Sequence, residues 1–135
     1  NKLKSEYAGT AYSQFGGLFV AKVAVDNGKL DDAATELKVI VDKPANATLG
    51  EVARQRLAQV LAAQGKVDDA LKLLEGDSDK AFQASREELK GDLLVQQGRT
   101  DDARAAYEKA KAGLSDEAAV GGLQIKLDDL AKGDA

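Results

Sequence analysis

Apolar residues recur along this chain every three or four positions, which is the spacing of one face of an α-helix. No stretch shows the strict alternation of a β-strand, and short polar turns separate the apolar segments. Because short turns make neighbouring helices run antiparallel, the pattern predicts helix packed on helix throughout. The predicted helices span about 11–26, 31–43, 48–64, 68–75, 80–97, 101–112 and 115–131.

The first predicted helix carries a row of large side chains at helical spacing, which is expected to face the core. The row and its small companions are Tyr12, Phe15, Phe19, Val20 and Val23, with Ala21 and Ala24. For Tyr12, Phe15 and Leu18 an open partner surface is an equal alternative, because this helix lies at one end of the predicted stack. The Gly16–Gly17 pair costs about 1 kcal/mol per residue relative to Ala and indicates close approach of another helix.

A seven-residue phrase occurs three times, at intervals of about 35 residues, and marks internal repeats. Its glycine is expected to end a helix in the left-handed conformation. The Asp pair that follows is expected at the start of the next helix, where capping and the helix dipole favour carboxylates. Each phrase therefore predicts a hairpin of two helices. The copies are Asn27–Ala33, Gln64–Ala70 and Gln97–Ala103.

The boundary between the first two repeats contains the chain's only proline, Pro44, which is expected to end the second helix. After a linker at 45–47, Thr48 and Glu51 fit a capping box, in which each side chain bonds a free backbone N–H at the start of the helix. The sequence therefore predicts that the third helix begins at Thr48.

Aligning the three phrases on their glycines brings small residues into two columns and a bulky residue into a third. These columns are Ala21, Ala58 and Gly91, then Ala33, Ala70 and Ala103, then Leu37, Leu74 and Tyr107. The pattern resembles the tetratricopeptide repeat, although the usual early Trp is absent and Ala24 stands where the later repeats have a large apolar residue. The resemblance implies an all-α fold, an α-solenoid of three helix pairs with a C-terminal capping helix. A single domain over 1–135 is expected, with the end of an earlier helix at 1–10, repeats at 11–44, 48–76 and 79–113, and the cap at 115–131.

A narrower resemblance extends over nearly the whole chain. It rests on the order of Ala33–Leu37, Arg56–Val60, Asp69–Leu74, Leu89–Leu94, Ala103–Tyr107 and Gln124–Leu130. This order is similar to that of the periplasmic domain of YfgM-type ancillary subunits of the SecYEG translocon. The resemblance implies a scaffold at the periplasmic face of the bacterial inner membrane that binds SecYEG, a PpiD-type membrane-anchored chaperone and emerging substrates. It also implies a membrane anchor preceding Asn1, which agrees with the absence of Met.

Composition narrows the possible chemistry. The 135 residues carry a net charge of −4 and include no Cys and no His, which excludes thiol catalysis, His general bases and Cys/His zinc sites. The chain has no basic stripe that would favour nucleic acid. Helix starts explain the Asp pairs better than acid–base catalysis does, and no EF-hand spacing is present. We therefore expect no enzyme activity, no cofactor and no metal.

In a tetratricopeptide stack, the first helix of each pair lines a concave surface. Positions that hold Lys, Arg or Asn in chaperone-binding repeats here hold Leu18, Gln55, Glu88 and Asp92, which argues against capture of an acidic C-terminal tail. A mildly apolar groove, acidic towards its end, suits an extended or helical partner segment, with a solvated face as the alternative for Glu88 and Asp92. The predicted partner-binding residues are Tyr12, Phe15, Leu18, Lys22, Val25, Gln55, Gln59, Ala62, Glu88, Asp92 and Val95.

Two functional hypotheses remain from the sequence. The first is the translocon-associated scaffold that the resemblance implies. The alternative is a solenoid that associates with itself through its open apolar end, or a general adaptor in another compartment.

Overall fold

A computed structural model describes residues 10–76 and 78–134 of the chain. The described residues form helices joined by turns, so the all-α prediction is confirmed. The helix end expected at 1–10 lies outside the described residues, apart from Thr10. The helices are α1 (Ala11–Asp26), α2 (Leu30–Asp42), α3 (Ala47–Ala63), α4 (Val67–Leu73), α5 (Lys80–Gln96), α6 (Thr100–Ala112) and α7 (Glu117–Asp134).

The helices belong to two compact units, with α1–α4 in the first and α5–α7 in the second. In the first unit α1 packs against α2 and α3, and α3 packs in turn against α2 and α4. In the second unit α6 packs between α5 and α7. Each of the three predicted hairpins is thus present as a pair of contacting helices. Helix α7 continues to Asp134, beyond its predicted end at 131.

The three repeated phrases fold into the same turn. Gly28, Gly65 and Gly98 have φ angles of 75°, 83° and 73°, in the left-handed region that glycine adopts most readily. In the first turn the amide of Lys29 donates to the Ala24 carbonyl at 2.7 Å, and the amide of Gly28 donates to Val25. The other two turns repeat both bonds. This arrangement satisfies carbonyls that a helix end would otherwise leave free, so the predicted helix stop is confirmed.

The Asp pairs lie in the first turns of α2, α4 and α6, as predicted. At the starts of α2 and α6, however, the capping positions are Lys29 and Arg99, and neither side chain makes a capping hydrogen bond. The positive end of the helix dipole favours the carboxylates at these starts, and in α6 Asp102 and Asp101 also pair with Arg99 and Arg104.

The capping box predicted at Thr48 and Glu51 is wrong. Helix α3 begins earlier, at Ala47, and its cap is Asn46, whose Oδ1 accepts from the Leu49 amide at 2.9 Å. Asn caps a helix at least as well as Thr, so the earlier Asn takes the role. Glu51 is instead buried one turn into the helix, where its Oε2 accepts from Gln55.

Small residues control how closely the helices of the first unit approach. Ala33 and Ala58 are fully buried, and Ala21 is nearly so, which confirms the small-residue columns. A Cβ placed on Gly17 would lie 3.3 Å from Cδ1 of Ile40 in α2, so the close approach predicted for the glycine pair is confirmed at Gly17. The core of this unit comprises Leu18, Ala21, Ala24, Ala33, Leu37, Ile40, Leu49, Ala53, Leu57 and Val60.

The face of α1 that meets this core is not the predicted row of large side chains. Tyr12, Phe15 and Phe19 are 77%, 63% and 68% exposed, and Val20 and Val23 also lie on the outside. Helix α1 is apolar on more than one side, so spacing alone did not decide which side faces inward. The side with small residues packs against α2 and α3. Its buried members are Gln14, Leu18, Ala21 and Ala24.

Gln14 links α1 to the segment that follows α2. Its Nε2 donates to the Lys43 carbonyl at 2.8 Å, and its Oε1 accepts from the Ala45 amide at 2.8 Å. The side chain is only 2% exposed, and both ends of the amide group are hydrogen-bonded, so its burial is not penalised. Gln14 therefore holds the linker around Pro44 against α1.

In the second unit α5 and α6 approach closely at Gly91, the third member of the first small-residue column. A Cβ at this position would lie 2.6 Å from Cδ1 of Tyr107, and closer still to Cε1, so only glycine fits beside the ring. Helical spacing predicts Tyr107 in the core of this unit, and its exposure of only 3% confirms the prediction.

Helical spacing predicts that Phe82 in α5 and Ala119 in α7 face inward, and both predictions are wrong. Phe82 is only half-buried, and Ala119 is exposed, because the apolar face of α7 turns inward later in the helix. The buried apolar residues of α5 and α7 are Leu89, Leu93, Leu94, Leu123 and Leu127.

Candidate functional site

A hollow of about 310 Å³ opens between α1, α2 and α3 in the first unit. It contains three predicted partner-binding residues, Lys22 and Val25 from α1 and Gln59 from α3. One helical turn separates Lys22 from Val25, which explains why the two share this face. We call this hollow the α1–α3 groove. Its residues are Ala21, Lys22, Val25, Leu30, Leu37, Arg56, Gln59, Val60 and Ala63.

The α1–α3 groove combines an apolar floor with a positive rim. The side chains of Leu37 and Val60 form part of the floor and are nearly inaccessible to solvent. Lys22 and Arg56 are exposed at the rim, and none of the described residues that line the groove is Asp or Glu. In the part of the chain that the structure describes, neither cation forms an ion pair. The groove thus carries the opposite charge to the chain as a whole, whose net charge is −4.

A second hollow, of about 630 Å³, lies on another side of the same unit and differs in its charges. Its lining mixes Lys38, Lys66 and Lys72 with Asp31, Asp42 and Asp69. Two of its polar side chains already bridge helices: Gln64 donates to Asp31, and Arg54 donates to the Leu73 carbonyl. Some polar side chains that line this hollow are therefore already hydrogen-bonded within the unit, which distinguishes it from the α1–α3 groove.

The other predicted binding residues of the first unit are dispersed. Leu18 is buried in the core and is not available to a partner. Gln55 and Ala62 are half-buried on α3 but do not line the groove. Tyr12 and Phe15 are exposed on the outer face of α1, so the open-surface alternative applies to them. Arg56, which the sequence did not single out, belongs to the groove.

In the second unit the predicted acidic residues hold the capping helix. Nζ of Lys126 in α7 lies 2.6 Å from Oε2 of Glu88 and 3.0 Å from Oδ1 of Asp92. Tyr107 donates its hydroxyl to the same Asp92 oxygen at 2.6 Å, and the ammonium of Lys126 lies 5.7 Å from the Tyr107 ring centre. Lys126 therefore offsets one of the two negative charges expected at the acidic end of the groove. Val95 is exposed nearby on α5.

This cluster changes the acidity of two of its members. Burial raises the pKa of Tyr107 above its usual value, and the hydrogen bond to Asp92 and the negative charges of Asp92 and Glu88 add to the rise. Partial burial would lower the pKa of Lys126, but its hydrogen bonds to Glu88 and Asp92 and their charges outweigh burial, so this pKa is raised. The cluster therefore favours a neutral tyrosine and a charged lysine.

The outer face of α1 is a separate apolar surface. Gly16 lies on it at helical spacing from Tyr12, Phe19, Val20 and Val23, and a Cβ there would meet no atom within 4 Å. Packing within the described chain therefore does not require Gly16 to be glycine, so the close approach predicted for the glycine pair is wrong at this position.

The described residues form neither a cluster of metal-ligating side chains nor a helix that could cross a membrane. Within 10–76 and 78–134, no group of three or more Asp or Glu could hold a metal ion. Over the same residues, no helix is long and apolar enough to cross a membrane.

The repeat columns and the helix hairpins agree with a comparison against known families. The family described as "Tetratricopeptide repeat-like domain" matches residues 1–132. The chain belongs to this family. A tetratricopeptide repeat-like fold is what the three glycine turns, the buried small-residue columns and the antiparallel helix pairs produce together.

This tetratricopeptide repeat-like chain is also similar to curated bacterial proteins named "Ancillary SecYEG translocon subunit". It is 30% identical to the protein of Neisseria gonorrhoeae over 96% of this chain and 63% of that protein. It is 28% identical to that of Aggregatibacter actinomycetemcomitans over 90% of the chain and 59% of the relative. Identity to the Escherichia coli protein is also 28%, over 89% and 58%. The predicted resemblance is confirmed, and the chain spans about three fifths of these relatives' length.

Proposed function

We propose that this chain is a non-enzymatic protein-binding module of an ancillary SecYEG translocon subunit, and that its α1–α3 groove holds a segment of a partner. The names of the relatives, which match this chain over 89–96% of its length, carry the proposal. The groove supports it because it offers apolar surface and two cations, Lys22 and Arg56, that form no ion pair among the described residues, on three helices packed together.

The proposed place of action is the periplasmic face of the bacterial inner membrane. There the module links the translocon to emerging substrates and to a membrane-anchored chaperone of the PpiD type. This link follows from the resemblance of the repeats and their order to YfgM-type subunits.

Copurification tests the proposal. The full-length protein, tagged at its C-terminus and expressed in its own host, is extracted from membranes in mild detergent and captured. We expect SecY, SecE or SecG, and a PpiD-type chaperone, to be enriched over a mock capture. Capture of the chaperone without any translocon subunit would contradict the translocon part. Capture of none of these proteins would refute the whole proposal.

The groove is tested in the same assay with a matched pair of variants. Val25→Asp places a carboxylate in the apolar groove, whereas Val39→Asp makes the same change at an exposed position of α2 outside it. We expect Val25→Asp to reduce copurification at least about fivefold, the cost of burying part of a charge against apolar contacts, and Val39→Asp to leave it unchanged. Equal effects of the two variants would show that the groove is not the binding site.

Self-association is a second candidate function, favoured by the outer face of α1. Tyr12, Phe15 and Phe19 together expose about 400 Å² of side chain, since an aromatic side chain offers about 200 Å² and these are at least 63% exposed. This equals about half of one partner's share in a standard interface, and it is close to the largest patch usual for a monomer.

Sedimentation over a concentration series separates self-association from a permanent monomer. If two copies pair through α1, Phe19→Lys should abolish the concentration dependence, because the lysine would be buried without a partner. Ile125→Lys is the control, because Ile125 is similarly exposed but stands alone on α7. A wild-type chain that stays monomeric at the highest concentration would rule this function out.

A further inference from the structure

We infer that the α1–α3 groove is selective for partner segments that carry side-chain carboxylates next to apolar side chains. This inference rests on the proposed function and names the class of partner for its site. The chemistry of the groove carries it: Leu37 and Val60 form an apolar floor, and Lys22 and Arg56 stand at the rim.

The charges that line the groove favour an acidic partner segment. Among the described residues, no carboxylate lines the groove and neither Lys22 nor Arg56 has an ion-pair partner of its own. In a chain with a net charge of −4, such a region both attracts a negative segment and rejects a positive one. The mixed charges of the second hollow, lined by Lys38 and Asp42 among others, give no such preference.

The groove's size and position define what else the segment needs. About 310 Å³ is room for one or two apolar side chains, and the floor has no polar group to satisfy a hydroxyl or an amide. Gln59 at the rim can donate to and accept from an extended backbone. The ligand class is therefore an internal peptide segment with Leu, Val or Phe between Asp or Glu residues.

This class differs from the acidic C-terminal tail that chaperone-binding repeats capture. Those repeats place their cations at positions that here hold Leu18, Gln55, Glu88 and Asp92. Leu18 is buried, and both acidic residues already bind Lys126, so the usual terminal-carboxylate clamp is absent from the described residues. Lys22 and Arg56 lie elsewhere, over the apolar floor.

Fluorescence anisotropy with designed peptides tests the inference on the whole 135-residue chain. The probe is a short fluorescein-labelled peptide in which Leu and Phe alternate with Asp and Glu and whose C-terminus is amidated. One analogue replaces the carboxylates with Asn and Gln, and a second replaces Leu and Phe with Ser. We expect the probe to bind at least about fivefold more tightly than either analogue, and its affinity to fall as salt shortens the Debye length.

Charge-reversal variants locate the contact. Lys22→Glu and Arg56→Glu should each lower the affinity for the probe about fivefold, and together at least about tenfold. This is the effect expected when an exposed attractive charge pair becomes a repulsive one. Lys38→Glu is the matched control, because it changes the net charge equally from the second hollow and should have no effect. Circular dichroism establishes that all four variants are folded.

Each contrary result has a definite meaning. Equal binding of the amide analogue, or equal weakening by Lys38→Glu, overturns selectivity for carboxylates, even if the groove binds apolar segments. Failure of every peptide to bind, while the full-length protein still captures translocon subunits, overturns this inference and leaves the proposed function in place. Failure of both experiments refutes the proposed function itself.

Discussion

Replacing Gly91 by alanine tests the close contact between α5 and α6. The added Cβ would overlap the ring of Tyr107, which is buried and cannot swing out because its hydroxyl is bonded to Asp92. Overpacking of this kind costs about 1–3 kcal/mol, while Ala in place of Gly within a helix gains about 0.5–1 kcal/mol. We therefore expect Gly91→Ala to lower the free energy of unfolding by about 1–2 kcal/mol.

The same substitution at an open glycine should have the opposite sign. At Gly16 and at Gly121 an added Cβ would meet nothing within 4 Å, so only the gain in helix propensity of about 0.5–1 kcal/mol remains. Urea denaturation followed by circular dichroism gives the free energies. Thermal melts should show Gly91→Ala about 3–10 °C below wild type and Gly16→Ala a few degrees above it. A Gly91→Ala variant as stable as Gly16→Ala would refute the packing argument.

Three further predictions concern polar groups that are buried or partly buried. Gln14→Leu should cost about 1–3 kcal/mol in urea denaturation, because it removes two part-buried hydrogen bonds, to the Lys43 carbonyl and from the Ala45 amide; a loss below about 0.5 kcal/mol would contradict that role. The raised pKa of Tyr107 means that its neutral side chain stabilises the fold fully below its ordinary pKa of about 10, and that this contribution is lost as pH rises further. The melting temperature should therefore decline from about pH 9.5 to pH 11.5, and Tyr107→Phe should make this decline shallower. Lys126→Met should destabilise by about 1 kcal/mol at low salt and less at high salt, whereas an effect independent of salt would indicate lost packing alone.

The turns and the repeat columns could be predicted from the sequence because they depend on local rules. A left-handed glycine, an Asp pair in a first turn and a small residue at a helix crossing each need only their own positions to be recognised. Gly28 and Gly91 illustrate this, since one has a φ of 75° and the other lies against the Tyr107 ring. Once these points are fixed, the limits of most helices follow to within a residue or two.

Two features could not be predicted: which side of α1 faces the core, and whether the acidic residues are paired. Both depend on residues that a neighbouring helix contributes. A helix with apolar residues on more than one side gives no preference by spacing, and the outcome at Phe15 and Phe19 depended on how closely α2 and α3 approach. The burial of Gln14 could not be read from its own helix, because its two hydrogen bonds go to backbone groups of the linker after α2. Lys126 lies far along the chain from Glu88, so their ion pair depends on the tertiary structure.

The candidate groove was partly predictable. Lys22, Val25 and Gln59 followed from counting along the helices, whereas Arg56 was missed although it lies one helical turn before Gln59 on the same side of α3. The signal available was this spacing together with the lack of any nearby acidic residue on α3 between Arg56 and Ala63.

Site-specific photo-crosslinking from the groove tests the central claim most directly. A photoreactive amino acid placed at Gln59 of the full-length protein, in membranes of its own host, should crosslink to a translocon subunit or a membrane-anchored chaperone. The same probe at Val39, which is exposed on α2 outside the groove, should not. Identical crosslinks from both positions, or crosslinks from Val39 alone, would contradict the assignment of partner binding to the α1–α3 groove.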